Sequence, residues 1–348
     1  MADIVRAYSL IAGRGRYHLQ MENGRFTARH CETGETFRLM PFERTFDGSV
    51  RYDRLSEDAA SNAWSEFFTR VILHPVCAPG IEWPVDAVEY ADITRKTAVG
   101  WLFPEKQAFP GFRPIRELLY QPKTSVIPDW RQGNTLTVCI GLARLLTALD
   151  AQGWAYHDFN PETILYRPDT GETALRFTGR VRTFDPHAIP NELDSARLAI
   201  DFLPPWLGRI YGQTAYLSRS DDSYSVSALL FCLMIGRLPY EGSELERFGT
   251  VYDPMRDTDA ENHRYYFTQY HRYANFIFSE QNDYNSLSPA QVNDLPRERW
   301  AALPVTVRSL FLHQFTADGE GRIRHDCAVE PERWIRVLTS LKELEVDG

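Results

Sequence analysis

The sequence has no apolar run long enough to cross a bilayer. Its longest, Val226 to Ile235, is about half of the roughly twenty residues that a spanning helix needs. It also has no excess of positive charge: 38 lysines and arginines face 47 aspartates and glutamates, for a formal net charge of −9. General nucleic-acid and membrane-surface binders are normally basic, so neither kind of partner is expected. Cysteines are few and scattered: Cys31, Cys77, Cys139, Cys232 and Cys327 are odd in number, and none has metal-knuckle spacing. Cys139 and Cys232 fall in apolar helical stretches, where a thiol acts as a small hydrophobe. A reduced, cytoplasmic protein is the expectation. No secretory leader is read before Asp3, because Met1 runs directly into mixed polar sequence. Repeats, low-complexity tracts and long linkers are lacking, which leaves 348 residues for one two-lobed unit or two modest domains, with a sizeable core.

What is present begins with strands. Tyr17 to Met21 leads to Asn23-Gly24, a strong hairpin signal. Arg25 to Cys31, a turn at Thr33-Gly34, and Thr36 to Met40 complete a three-strand meander. Ser56 to Leu73 has the period of a helix, with Ala63, Trp64, Phe67, Phe68, Val71 and Ile72 at three- and four-residue steps. His74-Pro75 ends it. Ala98 to Phe103 is a short apolar strand that closes at Pro104-Glu105. From Gly133 to Gly153 the spacing predicts an amphipathic helix, with Leu136, Cys139, Ile140, Leu142, Ala143, Leu146 and Leu149 on one broad face. Gly153 stops it. Tyr166 to Gly179 then reads as a hairpin turning at Asp169-Thr170-Gly171.

Between that helix and that hairpin lies Tyr156-His157-Asp158-Phe159-Asn160-Pro161-Glu162-Thr163-Ile164-Leu165. It resembles the catalytic loop of the protein kinases, with Asp158 at the position of the base. Asn160 stands where the family has a lysine, and Thr163 where it has a metal-binding asparagine. A second stretch, Asp222-Ser223-Tyr224-Ser225 and its apolar continuation, resembles the opening of the family's buried helix. Ile235-Gly236-Arg237-Leu238-Pro239-Tyr240 resembles its exit. An aspartate at such a helix start also suits the cap and the dipole. Phe202-Leu203-Pro204-Pro205-Trp206 resembles the close of the activation segment, with Trp206 in place of a glutamate that would pair with Arg324. The resemblance implies an α+β, two-lobed kinase-like fold, with a small β-rich N-lobe over 1–104 and a larger helical C-lobe over 105–348.

Phosphoryl transfer needs a lysine–glutamate pair, a metal held by aspartate and asparagine, and an aspartate that orients the hydroxyl. By the resemblance, Met40 falls at the lysine position, with Arg38 two residues earlier on the same strand face. Glu66 falls at the glutamate, paired with Arg38 or left in solvent. Gly13-x-Gly15 is only part of a glycine loop, or a simple entry to the first strand. Two registers are open for the metal aspartate. In one, Phe177-Thr178-Gly179 takes the place, and the aspartate is lost. In the other, Arg180 to Phe184 closes the hairpin, and Asp185 is the metal ligand. His157 is structural or a pH-sensitive contact. No nucleophile elbow supports a hydrolase.

The implied site set is therefore Asp158 as catalytic residue, Arg38 and Glu66 as cofactor-binding residues and Asp185 as metal ligand. Losing one preorganised charge costs about 2.7–4 kcal/mol in a comparable case, and here three positions are altered. The leading expectation is a pseudokinase without a cofactor, resembling a bacterial serine/threonine kinase-like branch and acting as scaffold or regulator through its large lobe. The resemblance implies a PP2C-type phosphatase or a von Willebrand A domain protein as partner. The rival is an atypical serine/threonine kinase or nucleotidyl-transferase using Asp158, Asp185 and Arg38 with ATP and Mg or Mn. A third reading is a nucleotide sensor without turnover.

Overall fold

The computed structural model describes residues 5–11, 13–22, 25–41, 66–91, 96–105, 109–119, 130, 133–183, 192–194, 202–208, 214–216, 218–246, 268–272, 274–280, 285–287, 295–316 and 328–346. The strands are β1 (Val5–Ser9), β2 (Arg16–Glu22), β3 (Arg25–His30), β4 (Thr36–Pro41), β5 (Asp86–Ala91), β6 (Lys96–Pro104), β7 (Arg113–Pro114), β8 (Trp154–Ala155), β9 (Ile164–Tyr166), β10 (Thr173–Leu175), β11 (Arg182–Thr183), β12 (Glu192–Asp194) and β13 (Thr214–Tyr216). The helices are α1 (66–73), α2 (Arg116–Leu119), α3 (Thr135–Ala151), α4 (Pro205–Gly208), α5 (Arg219–Ile235), α6 (Ser243–Glu246), α7 (268–272), α8 (Leu295–Ala302), α9 (Val305–Phe315) and α10 (Pro331–Val346). The chain divides into two compact units, Met1–Pro110 with Asp185–Asn191, and Gly111–Phe184 with Glu192–Gly348.

The first unit is built on the expected meander, β2 to β4, extended to a closed antiparallel barrel in the order β1-β2-β3-β4-β6-β5. Period-two alternation decides which side chains fill it. On β4, Phe37 and Leu39 turn inward to meet Ala7, Tyr17, Leu19, Ala28, Val88 and Leu102. Two strands come as additions to the meander and β6. β1 pairs with both β2 and β5 and so closes the sheet. A buried carboxylate fastens that closure: Asp86 accepts the Tyr17 hydroxyl at 2.8 Å and the Ser9 hydroxyl at 2.8 Å. Helix α1 buries Phe67, Phe68, Val71 and Ile72, and the Phe68 ring meets Trp101 edge-on at 5.0 Å.

The second unit is organised on α3 and α5. Helix α5 is buried from Asp221 to Ile235, so its sequence shows no polar stripe. Two of its hydroxyls are spent internally: Ser225 donates to the Phe202 carbonyl at 2.9 Å, and Ser227 accepts the Trp334 indole N–H at 3.0 Å. Phe231 sits among the rings of Phe276, Phe311 and Phe315. Helix α10 lies on α3, and Lys342 donates to the Thr137 hydroxyl at 2.7 Å. Among the described residues no helix is long and apolar enough to cross a membrane.

The start of α5 differs from the expectation. The helix begins three residues before Asp222, and Asp221 does the capping: its carboxylate accepts the Ser218 backbone N–H at 2.6 Å and the Ser218 hydroxyl at 3.0 Å. This leaves the Asp222 carboxylate for another task.

Candidate functional site

Gly153, with φ of 73°, turns the chain out of α3 into β8, which pairs with β11. The loop over 156–163 follows and then enters β9. Its backbone is strained at one point: His157 has φ of 59°, the only positive value at a non-glycine residue among those described. Such a conformation persists only where the surroundings over-determine it. Here the surroundings are the Asp222 carboxylate, which accepts the backbone N–H of Tyr156 at 2.5 Å and of His157 at 2.7 Å. Tyr156 is fixed further by its hydroxyl, which donates to the Arg176 carbonyl at 2.5 Å.

The His157 ring is buried, and neither of its nitrogens has a hydrogen-bond partner. Burial, reinforced by the Arg182 guanidinium, pushes its pKa down to about 3. The pH-sensitive reading of His157 is thereby corrected. A ring that stays neutral throughout the physiological range is structural.

Asp158 is 3 % exposed. Its Oδ1 accepts from Arg180 at 2.8 Å and from the Asn160 amide at 2.8 Å. Burial pushes the carboxyl up to about 6, while Arg180 and Asn160 pull against that shift. The group is thus a carboxylate poised near neutrality with a guanidinium on it.

The two substituted loop positions are wired inward. Asn160 closes an Asx turn: its Oδ1 accepts from Glu162 N at 2.8 Å and Thr163 N at 3.2 Å, and its Nδ2 also reaches the Asp158 carbonyl at 3.0 Å. The Thr163 hydroxyl donates to the Asp158 carbonyl at 2.6 Å and accepts from Asn160 N at 3.3 Å. Neither side chain is left for a ligand. These are loop-closing residues.

The strand pairing decides the register of the hairpin. β9 pairs with β10 from Ile164↔Leu175 to Tyr166↔Thr173, and Arg182–Thr183 pairs with Trp154–Ala155 instead. Thr173–Leu175 therefore closes the hairpin, not Arg180 to Phe184, and Phe177-Thr178-Gly179 follows directly. Phe177 is buried. Asp185 lies outside the described residues, as does Arg324. Among the described residues no group of three His, Cys, Asp or Glu side chains is placed to hold a metal ion.

In the first unit, Arg38 forms an ion pair with Glu82, and its guanidinium lies 4.6 Å over the Phe103 ring. Glu66 is exposed at the described start of α1. Of the two alternatives for Glu66, solvent is the one observed. Met40 lies beside Arg38 on β4, opposite Trp101. Gly13 and Gly15 fall in the connection between β1 and β2, where Arg14 donates to the Val85 carbonyl at 2.6 Å. Sequence reasoning missed Glu82 and Arg180. Glu82 stands in a stretch without period, and Arg180 is 22 residues from its partner.

Trp206 does more than pack. Its indole N–H donates to Asp221 Oδ1 at 2.6 Å, and its ring meets Tyr224 edge-on at 5.6 Å. An indole–carboxylate hydrogen bond thus ties 202–208 to the start of α5.

No family model matches the sequence, and no curated protein matches it. Solved structures similar to the chain are protein-kinase folds. A Toxoplasma gondii specific rhoptry antigen kinase domain is 15% identical, with 98% of this chain and 87% of that one covered and a TM-score of 0.48. The CAK complex from Chaetomium thermophilum, bound to ATP-gamma-S, is 12% identical, with 96% and 89% covered and a TM-score of 0.49. ROP2 from Toxoplasma gondii, described as a virulence factor with a protein-kinase fold and no enzymatic activity, is 15% identical, with 99% and 87% covered and a TM-score of 0.46.

Proposed function

We propose that this chain is a pseudokinase: a two-lobed kinase-like protein that transfers no phosphate and serves as scaffold or regulator in a bacterial, cytoplasmic signalling system. The observation that carries this reading is the inward wiring of the loop. Asp158 is committed to Arg180 and Asn160, and Thr163 to the Asp158 carbonyl. Catalysis by positioning and charge neutralisation has little left to work with once metal-binding positions are spent on the fold. The Arg38–Glu82 pair points the same way, because it engages the arginine two residues from the position of the absent lysine. A PP2C-type phosphatase or a von Willebrand A domain protein is the partner this reading takes from the resemblance, and no cofactor is required.

One observation favours the rival, an ATP-dependent phosphotransferase that uses Asp158 with Mg or Mn. An Asp158 carboxyl near 6 is well matched to general-base work at neutral pH. Incubating the protein with ATP and either Mg or Mn, alone and with a generic protein substrate, and weighing the products by intact-mass spectrometry separates the two. The pseudokinase reading expects no added phosphate. A time-dependent phosphate adduct would overturn it.

A further inference from the structure

The resemblance calls for a divalent cation beside Asp158, and the residues present do not fit one. At the two positions that would hold it stand a hydroxyl already engaged in the loop, Thr163, and a buried phenylalanine, Phe177. The positive charge that does face Asp158 is Arg180, whose Nη1 lies 2.8 Å from Asp158 Oδ1.

We propose that the Arg180 guanidinium takes the place of the metal, so that the Asp158 site accepts a phosphate-bearing ligand without any divalent cation. The geometry of the pair supports this. Arg180 is 28% exposed while Asp158 is 2% exposed along its side chain, so one end of the guanidinium is sealed and the other reaches solvent. Only Nη1 is spent; among the described residues Nη2 and Nε carry no hydrogen bond, and neither is a buried orphan. A planar guanidinium with two parallel donors free matches the spacing of two phosphate oxygens, which an ammonium group or a neutral donor does not. Asp158 holds the far edge of the fork and fixes its plane, so the donors are oriented before the ligand arrives. The pair is neutral as a whole, so attraction is short-range and rests on those two hydrogen bonds. Binding is accordingly weak, and it is specific for phosphate oxygens rather than for a base.

The inference rests on the pseudokinase reading but is separable from it. That reading fails on transferred phosphate, and this one on binding. The experiment is thermal unfolding followed by calorimetry of the full chain with ATP, pyrophosphate, inorganic phosphate and adenosine, in EDTA and then in magnesium. A ligand that binds only the folded state raises the midpoint by mass action. Pyrophosphate and ATP are expected to raise it in EDTA, adenosine is not, and magnesium is expected to weaken the effect by competing for the same oxygens. An inorganic phosphate shift as large as that of ATP assigns the site to free phosphate; a larger ATP shift assigns it to the nucleotide. Arg180→Ala is expected to weaken binding by about tenfold or more, and Arg180→Lys, which keeps the charge against Asp158 but not the fork, to fall between. If Arg180→Ala fails to fold, the Arg180→Lys and Arg180→Gln variants carry the comparison. Binding that requires magnesium, binding undiminished in the folded variants, or no shift from any phosphate compound at millimolar concentration would each overturn the proposal.

Discussion

The Asp222 carboxylate accepts the backbone N–H of His157 at 2.7 Å and so holds a residue whose φ is 59°. One residue of a buried helix thereby sets the conformation of a loop 65 residues away in sequence. Replacing it tests how much the loop depends on that anchor. Asp222→Ala leaves two buried N–H groups without acceptors, and each costs about 1–3 kcal/mol. A total loss of about 3 kcal/mol is expected from urea unfolding, with faster hydrogen exchange at the amides of Tyr156 and His157. Unchanged exchange at those two amides would contradict the anchoring role.

The buried His157 gives a pH prediction with a definite sign. Its pKa in the folded protein is about 3, against about 6.5 in an unfolded chain. Below the unfolded value the unfolded chain takes up a proton that the folded protein refuses, so this group costs stability as pH falls, by about 1.4 kcal/mol per pH unit. Asp158 and Asp150, both raised to about 6, act in the opposite sense: their stabilising contribution is full at low pH and is lost as pH rises through about 6. His157→Asn removes only the first effect and tolerates the positive φ. From about pH 7 down to about pH 4.5 the variant should gain stability relative to the natural protein. Parallel unfolding midpoints across that range would mean that His157 is not buried as a neutral ring.

At the substituted loop positions the prediction concerns stability alone. Thr163→Val removes one donor and one acceptor from the buried turn, at a cost of about 1–2 kcal/mol. Asn160→Ala removes the whole Asx turn and should cost about 2–3 kcal/mol. Chemical denaturation checks both. A neutral result at both sites would show that the turn does not depend on them.

Trp206→Phe keeps an aromatic ring against Tyr224 and removes the indole donor to Asp221. A hydrogen bond to a charged group is worth about 1.5–3 kcal/mol, and a loss in that range is expected on thermal unfolding. Asp221→Asn in the Trp206→Phe background should then cost less than in the natural protein, as a double-mutant cycle would reveal.

Local pattern carried much of this architecture. The apolar steps of Leu136, Cys139, Ile140 and Ala143 mark α3, the Gly34 and Gly171 turns mark their hairpins, and the resemblance at 156–165 points to Asp158, Asn160 and Thr163 together. The rest depends on partners far apart in sequence. β1 is short and mixed in polarity, and its pairing with β2 and β5 makes it a strand. Arg38 faces Glu82 rather than Glu66 because α1 turns Phe67 and Phe68 inward and leaves Glu66 outside. Capping falls to Asp221 rather than Asp222 because the helix starts at Arg219, a shift that residue preference alone does not resolve. The pairing of Arg180 with Asp158 crosses a hairpin, and neither segment predicts it.

Whether Asp158 serves the fold and not phosphoryl transfer is decided by comparing the natural protein with Asp158→Asn in one preparation. Two quantities are read on each: the unfolding midpoint, and transfer of labelled γ-phosphate from ATP with Mg and with Mn. The substitution keeps the shape of the side chain but removes its charge against Arg180. The midpoint should therefore shift, because the ion pair and the desolvation cost of a buried carboxylate are removed together, while both proteins transfer nothing above the protein-free background. Measurable transfer by the natural protein, abolished by Asp158→Asn with the midpoint unchanged, would contradict the structural role and make Asp158 a working catalytic base.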